Sequence, residues 1–579
     1  MAFMDEDQKE FRASFWHTAA HLLGHAVLQL YPDAKRTIGP AIDSGFYYDF
    51  FQETPFTPED LEKIEKRMQE IAKGNHPLFR EDKSASEAKE FYKGNPFKLE
   101  LIDEFAPGGQ GTLSFYCHAD YKDLCKGGHV ENTGEIKAIK LLKTSGAYWR
   151  GDAKNQQLQR IYGIAFPSRD ELKNYLKQLE EAEKRDHRKI GKELDLFSFH
   201  EVSPGSPFFH PKGTIVYLTL QNFLRSLYPS WGYQEVITPL IYDCELWKQS
   251  GHWEHYRENM FEVKMDSRDA AMKPMNCPSH IIIYKTNLRS YRDLPLRITD
   301  FAALHRNELK GVLGGLTRVR KFSQDDCHVF CTPEQVKGEI QSLIRNAQYV
   351  YEKVFGFCFH VELSTKPEKA MGDPKLWEVA EKSLQEALDE SNVKYKINPG
   401  DGAFYGPKID FHIKDALGRS WQCGTEQLDF QQPERFNVEY EGGDGKKHRV
   451  VMLHRTVLGS LERFMGVLIE HYAGRFPLWL SPIQVKVLNI TDNQLGYATK
   501  VVEKLKEAGL RVELDDRSLT LGKKIREAQL EQANFIVVIG DKEVQENSVN
   551  IRSRDAGVLG SKEVDVFITE LLEEVKKRA

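Results

Sequence analysis

Between Phe301 and Phe322 the chain reads FAALHRNELKGVLGGLTRVRKF. Arg306 and Glu308 are two residues apart, so on a strand their side chains share one face. Arg318 and Arg320 make a matching pair on a return strand, with the glycine-rich stretch 311–315 as the turn. Such a hairpin presents arginines and an aromatic ring together. Guanidinium groups clamp phosphate oxygens bidentately and a phenyl face stacks on a base, so the chemistry predicted is recognition of a nucleoside triphosphate. A salt-bridged surface hairpin would explain the same spacing without a ligand.

Histidines and cysteines form a second group. HLLGH sets His21 and His25 at i, i+4 on one helical face, and CKGGH offers Cys125 and His129. Each pair alone reads equally well as polar surface. Cys277, His328 and His454 lie far apart, without the close-set spacing of common zinc motifs, and each alone reads as a core or strand residue. On a strand through 326–331, alternation places Asp326 and His328 on one face and Cys327 on the other. Cys327 and Cys331 are therefore expected to pack rather than ligate.

These residues need elements to carry them. Ser168 and Glu171 fit a capping box, followed by Leu172, Leu176, Leu179 and Ala182 at helical spacing. The helix is expected to continue through EAEKRDHRKIGKE, polar nearly all round, as a strut between domains or a solvated face. An amphipathic helix is expected over 213–227, then a strand over 233–237 running into Pro239. A strand over 451–459 leads into a helix over 460–472. Beyond Trp479 to Pro482 the pattern changes to alternating strands and helices: strands at 485–490, 511–514, 535–540 and 550–553, helices at 494–508, 521–533 and 561–577. That is the pattern of a small mixed sheet.

The chain has 579 residues, enough for three or four domains. No apolar run reaches the roughly 18–20 residues that span a membrane. The start, Met1 to Glu10, reads as neither a signal peptide nor a transit peptide, so a cytoplasmic protein is expected. The eight cysteines include no CxxC pair, which suits free thiols or metal ligands better than disulfides. A net charge of −6 argues mildly against a nucleic-acid partner, so any such partner must be met by local basic patches.

The hairpin, with Phe301, Arg306, Glu308 and Phe322, resembles motif 2 of the class II aminoacyl-tRNA synthetases. GSLERF (459–464), with Arg463, resembles motif 3, and the helix, strand and Pro239 described above resemble motif 1. KPMNCPSH (273–280), SYRDLPLR (290–297), FSQDDCHVFC (322–331), GAFYGPKID (402–410), QCGTEQLDF (422–430) and VMLHRTVLGSLERF (451–464) narrow the resemblance to the threonyl-tRNA synthetases of bacterial type. It covers nearly the whole chain. Many family members carry a ubiquitin-like domain ahead of the editing module, whereas this sequence opens directly on the editing helix.

The resemblance implies an α+β multidomain fold. Residues 1–167 would be an α/β editing domain, 168–195 a linker helix, 196–479 a class II catalytic domain built on an antiparallel sheet with helices, and 480–579 an α/β anticodon-binding domain. It implies one zinc per subunit on Cys277, His328 and His454 with a fourth position open to substrate, and Mg²⁺ with ATP. Arg306 would hold the α-phosphate and the substrate carboxylate, Arg318 and Arg463 the γ-phosphate, and Phe322 and Glu308 the adenine. Asp326 would accept the threonine hydroxyl, and Tyr405, Gln324, Gln427 and Lys408 would shape the amino-acid pocket and its charge. His21, His25, Lys98, Asp123, Cys125 and His129 would form the hydrolytic site, where relatives use either a metal or a positioned water. Glu543 and Arg552 match positions that read anticodon bases. The partners implied are tRNA(Thr), ATP, L-threonine and a second copy of the chain, with no membrane. A non-catalytic RNA- or amino-acid-binding paralogue, and a stand-alone hydrolase built on the HxxxH pair, are the rival readings.

There is a physical reason for two sites. Threonine and valine differ by hydroxyl against methyl, and an apolar pocket separates such isosteres by only about 10²-fold. A metal that takes the amino and hydroxyl groups as ligands rejects valine. Serine keeps both ligands and lacks one methyl, worth roughly 1–3 kcal/mol, so a second, hydrolytic sieve is required.

Overall fold

The computed structural model describes residues 6–42, 44–152 and 154–578. Residues 1–5 of the N-terminal segment read for a leader lie outside them. Among the described residues no helix is long and apolar enough to cross a membrane. The chain divides into two compact units, one ending at Glu180 and one beginning at Glu181.

In the first unit the helix Glu6–Leu30 packs on a five-stranded sheet built on Gly45–Phe51, Gln157–Phe166 and Ala138–Tyr148. Ala19, Leu22, Leu23 and Ala26 are buried against Phe46, Phe50 and Ile161. A three-stranded sheet, Phe79–Ser84, Thr112–His118 and Tyr121–Leu124, carries Asp123 and leads to Cys125.

In the second unit an eight-stranded sheet runs in the order Tyr233–Glu235, Leu296–Asp300, Asp326–Cys331, Val451–Thr456, Ser420–Asp429, Lys408–Lys414, Cys358–Ser364 and Tyr395–Asn398. Only the two edge pairings are parallel. The helices Pro211–Trp231, Val336–Gln348 and Leu461–His471 bury Leu220, Ile340 and Phe464 in one core against it. C-terminal to Trp479 a mixed five-stranded sheet forms, with its own core of Val487, Val537, Ile551 and Phe567.

The α+β architecture follows the sequence pattern, with differences that have physical causes. The helix expected to run through 193 stops at Lys184, and a second one, His187–Glu193, starts after Asp186, whose carboxylate accepts the Arg188 amide at 2.8 Å. Local capping at Asp186 competes with helix continuation. The second helix is not polar all round: His187, Ile190 and Gly191 are buried. The strand Gly557–Glu563 carries no sequence signal, because its residues are exposed or half-buried and give no apolar alternation, and the last helix begins at Val564 rather than 561.

Candidate active sites

One face of the large sheet carries a transverse row. His328 lies opposite His454, His454 opposite Gln427, and Gln427 opposite Lys408. Residues directly opposite in antiparallel strands project from one face. Asp326 shares that face with His328, while Cys327 points away and reaches Thr299 Oγ1 at 3.2 Å. Cys327, Val329 and Cys331 are core residues, as alternation requires.

The helix Cys277–Lys285 brings its first residue over this row. The ligand atoms of Cys277, His328 and His454 lie within 4.8 Å of one another, and all three residues are buried. Asp429 Oδ2 lies 2.9 Å from His454 Nε2. A carboxylate only accepts, so it places the proton on Nε2 and leaves the Nδ1 lone pair facing His328 Nε2 at 3.0 Å. His328 Nδ1 is held by His280 Nδ1 at 2.7 Å. Burial holds the His328 imidazole well below its ordinary pKa and pushes the Cys277 thiol well above its own. One thiol and two imidazoles converging in a buried pocket, with a carboxylate behind one ring, fit a zinc ion by donor type and by second contacts.

A cavity of about 320 Å³ opens beside these residues, lined among others by Arg306, Asp326, Phe404, Tyr405 and Gln427. Asp326 accepts from Asn276 Nδ2 at 2.9 Å, and burial raises its carboxyl to about 6. The Tyr405 hydroxyl donates to Gln427 Oε1. A second cavity of about 260 Å³ shares Arg306, Gln324, Thr425, Gln427 and Thr456 with the first, so the two lie side by side. Its walls include Glu308, Arg318, Phe322 and Arg463. Arg463 donates to the Thr317 and Gln422 carbonyls, each at 3.0 Å. Burial, and then the neighbouring guanidinium groups of Arg306 and Arg318, lower the Arg463 pKa, with only partial relief from Cys423 and Glu308. Glu308 is engaged by Arg318 at 3.0 Å. Three cations around one hole, with Glu308 on its wall already paired to Arg318, make a site suited to an anion.

The hairpin differs from its expected form. Its strands are only Ala303–His305 and Lys321–Ser323, and 306–320 is an irregular loop with two tight helical turns. The ladder persists one step further, Arg306 N donating to Arg320 O at 2.8 Å, so the arginines still oppose one another. Arg306 sits over the Phe322 ring at 5.0 Å. Arg320 is turned aside, donating to the Glu308 carbonyl at 2.9 Å.

Lys408 stands outside the lining of both cavities. Its ammonium is held by Asp410 at 2.9 Å and Asp401 at 3.1 Å. Asp410 also accepts from Gln422 at 2.7 Å and Thr425 at 3.0 Å, so Lys408 reaches the pocket only through them.

In the first unit His17, His21, Cys125 and His129 bring one ligand atom each within 4.8 Å of one another. His25 is not among them. Its ring meets His118 Nε2 at 3.1 Å, Gln29 Nε2 at 2.8 Å and Asp120 at 2.9 Å. His17 takes the place expected for His25. Each four-residue step turns a helix by about 40°, so three histidines at that spacing cannot all face one point. Cys125 Sγ lies 3.4 Å from His17 Nε2 and 3.3 Å from His129 Nε2. Burial pushes the Cys125 thiol up to about 11 and lowers His129 to about 3, so the group is neutral. His21 Nδ1 is buried with no hydrogen-bond partner among the described residues. Asp123 behind them is buried, which raises its pKa, but Lys98 at 2.7 Å and Arg36 at 3.7 Å outweigh that and hold it well below the carboxylate range. The hydroxyls of Tyr48, Tyr92 and Tyr121 donate to it as well. A cavity of about 580 Å³ reaches His17, His21, Lys98, Asp123 and Cys125. Arg36 and the three tyrosines carried no spacing signal, since they come from separate elements.

In the C-terminal region Glu543 accepts from Gly540 N at 2.9 Å and closes the cap of the helix Asp541–Glu546. Arg552 lies half-buried on the strand Ser548–Ser553.

Comparison with known proteins gives three family matches. Residues 261–472 match the tRNA synthetase class II core domain (G, H, P, S and T), 484–578 the anticodon binding domain, and 113–162 the threonyl and alanyl tRNA synthetase second additional domain. A threonine–tRNA ligase of Caldanaerobacter subterraneus subsp. tengcongensis is 54% identical over 581 residues, covering 100% of this chain and 89% of the relative. One from Clostridium tetani is 55% identical over 574 residues, covering 99% and 89%. A crystal structure of the RNA binding domain of threonyl-tRNA synthetase from Cryptosporidium parvum Iowa II aligns with a TM-score of 0.66 at 45% identity, over 67% of this chain and 98% of the other.

Proposed function

The chain belongs to the threonine–tRNA ligase family of class II aminoacyl-tRNA synthetases, and from that premise we propose how its residues divide the work. The reaction has two steps. The threonine carboxylate attacks the ATP α-phosphate, giving threonyl-adenylate and pyrophosphate. A terminal ribose hydroxyl of the tRNA then takes the threonyl group and AMP leaves. Positioning and charge neutralisation carry such a reaction. Arg306, on the wall common to both cavities, holds the α-phosphate and the carboxylate. Arg318 and Arg463 hold the γ-phosphate, and Mg²⁺ arriving with ATP would neutralise phosphate charge there. Phe322 and Glu308 bound the adenine. Lys408 holds Asp410, which orients Gln422 and Thr425.

Cys277, His328 and His454 would hold zinc, whose chemistry there is to accept the amino and hydroxyl groups of threonine as ligands. Asp326 takes the hydroxyl proton by hydrogen bond, and Tyr405, Gln324 and Gln427 close the pocket. In the N-terminal unit His17, His21, Cys125 and His129, with Asp123 and Lys98, position a water that hydrolyses Ser-tRNA(Thr). Arg552 and Glu543 belong to the region that meets the anticodon. The segments 1–167, 168–195, 196–479 and 480–579 correspond to editing, linking, catalysis and anticodon binding. Two copies pair through the helix Pro211–Trp231, the strand Tyr233–Glu235 and the segment after it, where Ile237 is 92% exposed. The protein works in the cytoplasm.

The observation that carries this reading is the shared wall, with Arg306 on it, between a three-arginine anion hole and a buried Cys–His–His pocket. ATP–pyrophosphate exchange with each amino acid tests it: exchange confined to threonine, with serine weak and valine silent, is expected.

A further inference from the structure

His187 is the first residue of the short helix that follows the break at Asp186, and it is buried together with Glu470 and Leu316. Its ring bridges two elements of the active site. Nδ1 lies 2.6 Å from Glu470 Oε1, near the end of the helix Leu461–His471 that carries Arg463. Nε2 lies 2.9 Å from the backbone amide of Leu316, inside the loop that carries Arg318. An amide only donates, so Nε2 accepts and the ring proton sits on Nδ1, where it is donated to the carboxylate. Both ring nitrogens are thereby satisfied and the tautomer is fixed.

The loop is held at that point from several sides. Gly315 has φ +59°, and a Cβ there would meet His187 Nε2 at 2.2 Å. A Cβ on Gly466 would meet Leu316 Cβ at 3.2 Å. One residue on, the Thr317 carbonyl accepts from Arg463 Nε at 3.0 Å, and Arg318 follows. The ring therefore fixes the turn 315–317 against the Arg463 helix, and that turn sets the separation of two of the three guanidinium groups around the anion hole.

We infer that His187, through the Leu316 amide, is a positioning residue for ATP, holding the loop so that Arg318 and Arg463 converge on one phosphate. His187 lines neither the anion hole nor the amino-acid pocket. The inference rests on the reading of Arg318 and Arg463 as a phosphate clamp.

The test separates ATP from threonine kinetics in pyrophosphate exchange with the full chain. His187→Asn keeps an N–H for Glu470 but is too short to accept from Leu316. It should raise KM for ATP about five- to tenfold, the effect of one lost hydrogen bond, with KM for threonine unchanged. His187→Gln, which restores an acceptor at the reach of Nε2, should recover most of that loss. A purely structural role would lower the melting temperature without splitting the two KM values. Arg318→Ala reports on the underlying reading: if it leaves KM for ATP unchanged, the clamp itself is wrong. If Arg318→Ala weakens ATP while His187→Asn does not, or if His187→Asn shifts both KM values equally, the inference is overturned. Should the Asn variant not fold, Gly315→Ala attacks the same contact from the loop side. An unchanged KM for ATP in that variant overturns the inference too.

Discussion

His328 Nε2 and His454 Nδ1 face each other at 3.0 Å across two adjacent strands, with Cys277 Sγ closing the triangle. The pairing register sets this distance, because the two residues are direct cross-strand partners. Asp429 on the next strand then fixes one ring. The histidine pair is thus a product of sheet geometry and the helix Cys277–Lys285 adds the thiol, which explains why the three can be 51 and 126 residues apart in sequence (277 to 328 and 328 to 454).

Substituting the thiol separates the two proposed active sites. Cys277→Ser should abolish threonine-dependent pyrophosphate exchange and leave hydrolysis of Ser-tRNA(Thr) at the parent rate. Exchange equal to the parent's would remove Cys277 from the amino-acid site.

The anion hole predicts a kinetic signature. Arg318→Ala or Arg463→Ala should cut kcat/KM for ATP about 10²–10³-fold, the scale of losing one charged stabilising group. A change below about threefold in both would contradict the phosphate assignment.

In the N-terminal unit the histidines divide sharply. His17→Ala and Cys125→Ala should slow Ser-tRNA(Thr) deacylation about 10²-fold or more, since each removes a group from the positioned cluster. His25→Ala should change it only a few-fold, because that ring is turned toward His118 and Asp120. Equal losses at His17 and His25 would reverse the assignment.

Glu426, on the face of the large sheet opposite the pocket, gives a stability prediction. Burial raises its carboxyl from 4.5 to about 8, against the opposing pull of Arg455. The folded state therefore favours the protonated form. Its contribution is fully present below about pH 4.5 and is lost as pH rises through 8. Glu426→Gln, which stays neutral, should melt like the parent at pH 5 and about 2 °C or more higher at pH 9. A variant less stable than the parent at pH 9 would show that the ionised carboxylate is needed.

Much of this was legible in the residues, for reasons that can be stated. Alternation over 326–331 placed Asp326 and His328 together because that property belongs to the strand alone. The choice between His17 and His25 was not legible, because HTAAH and HLLGH have identical spacing and only the approach of Cys125 and His129 selects one. The interruption at Asp186 was hidden among residues that suit a helix. Its cause is partly tertiary: His187 gains Glu470 and Leu316 as partners nearly 300 and 130 residues away. Lys408 matched its motif, yet Asp401 and Asp410 hold its charge outside the cavities.

The central claim is that threonine is recognised through a metal held by Cys277, His328 and His454. The direct measurement is pyrophosphate exchange with threonine and valine on protein of known zinc content, before and after chelation. We predict stoichiometric zinc, a threonine preference well above the roughly 10²-fold that shape alone provides, loss of exchange on stripping, and recovery with Zn²⁺. Metal-free protein that still activates threonine at the full rate and still refuses valine would contradict it.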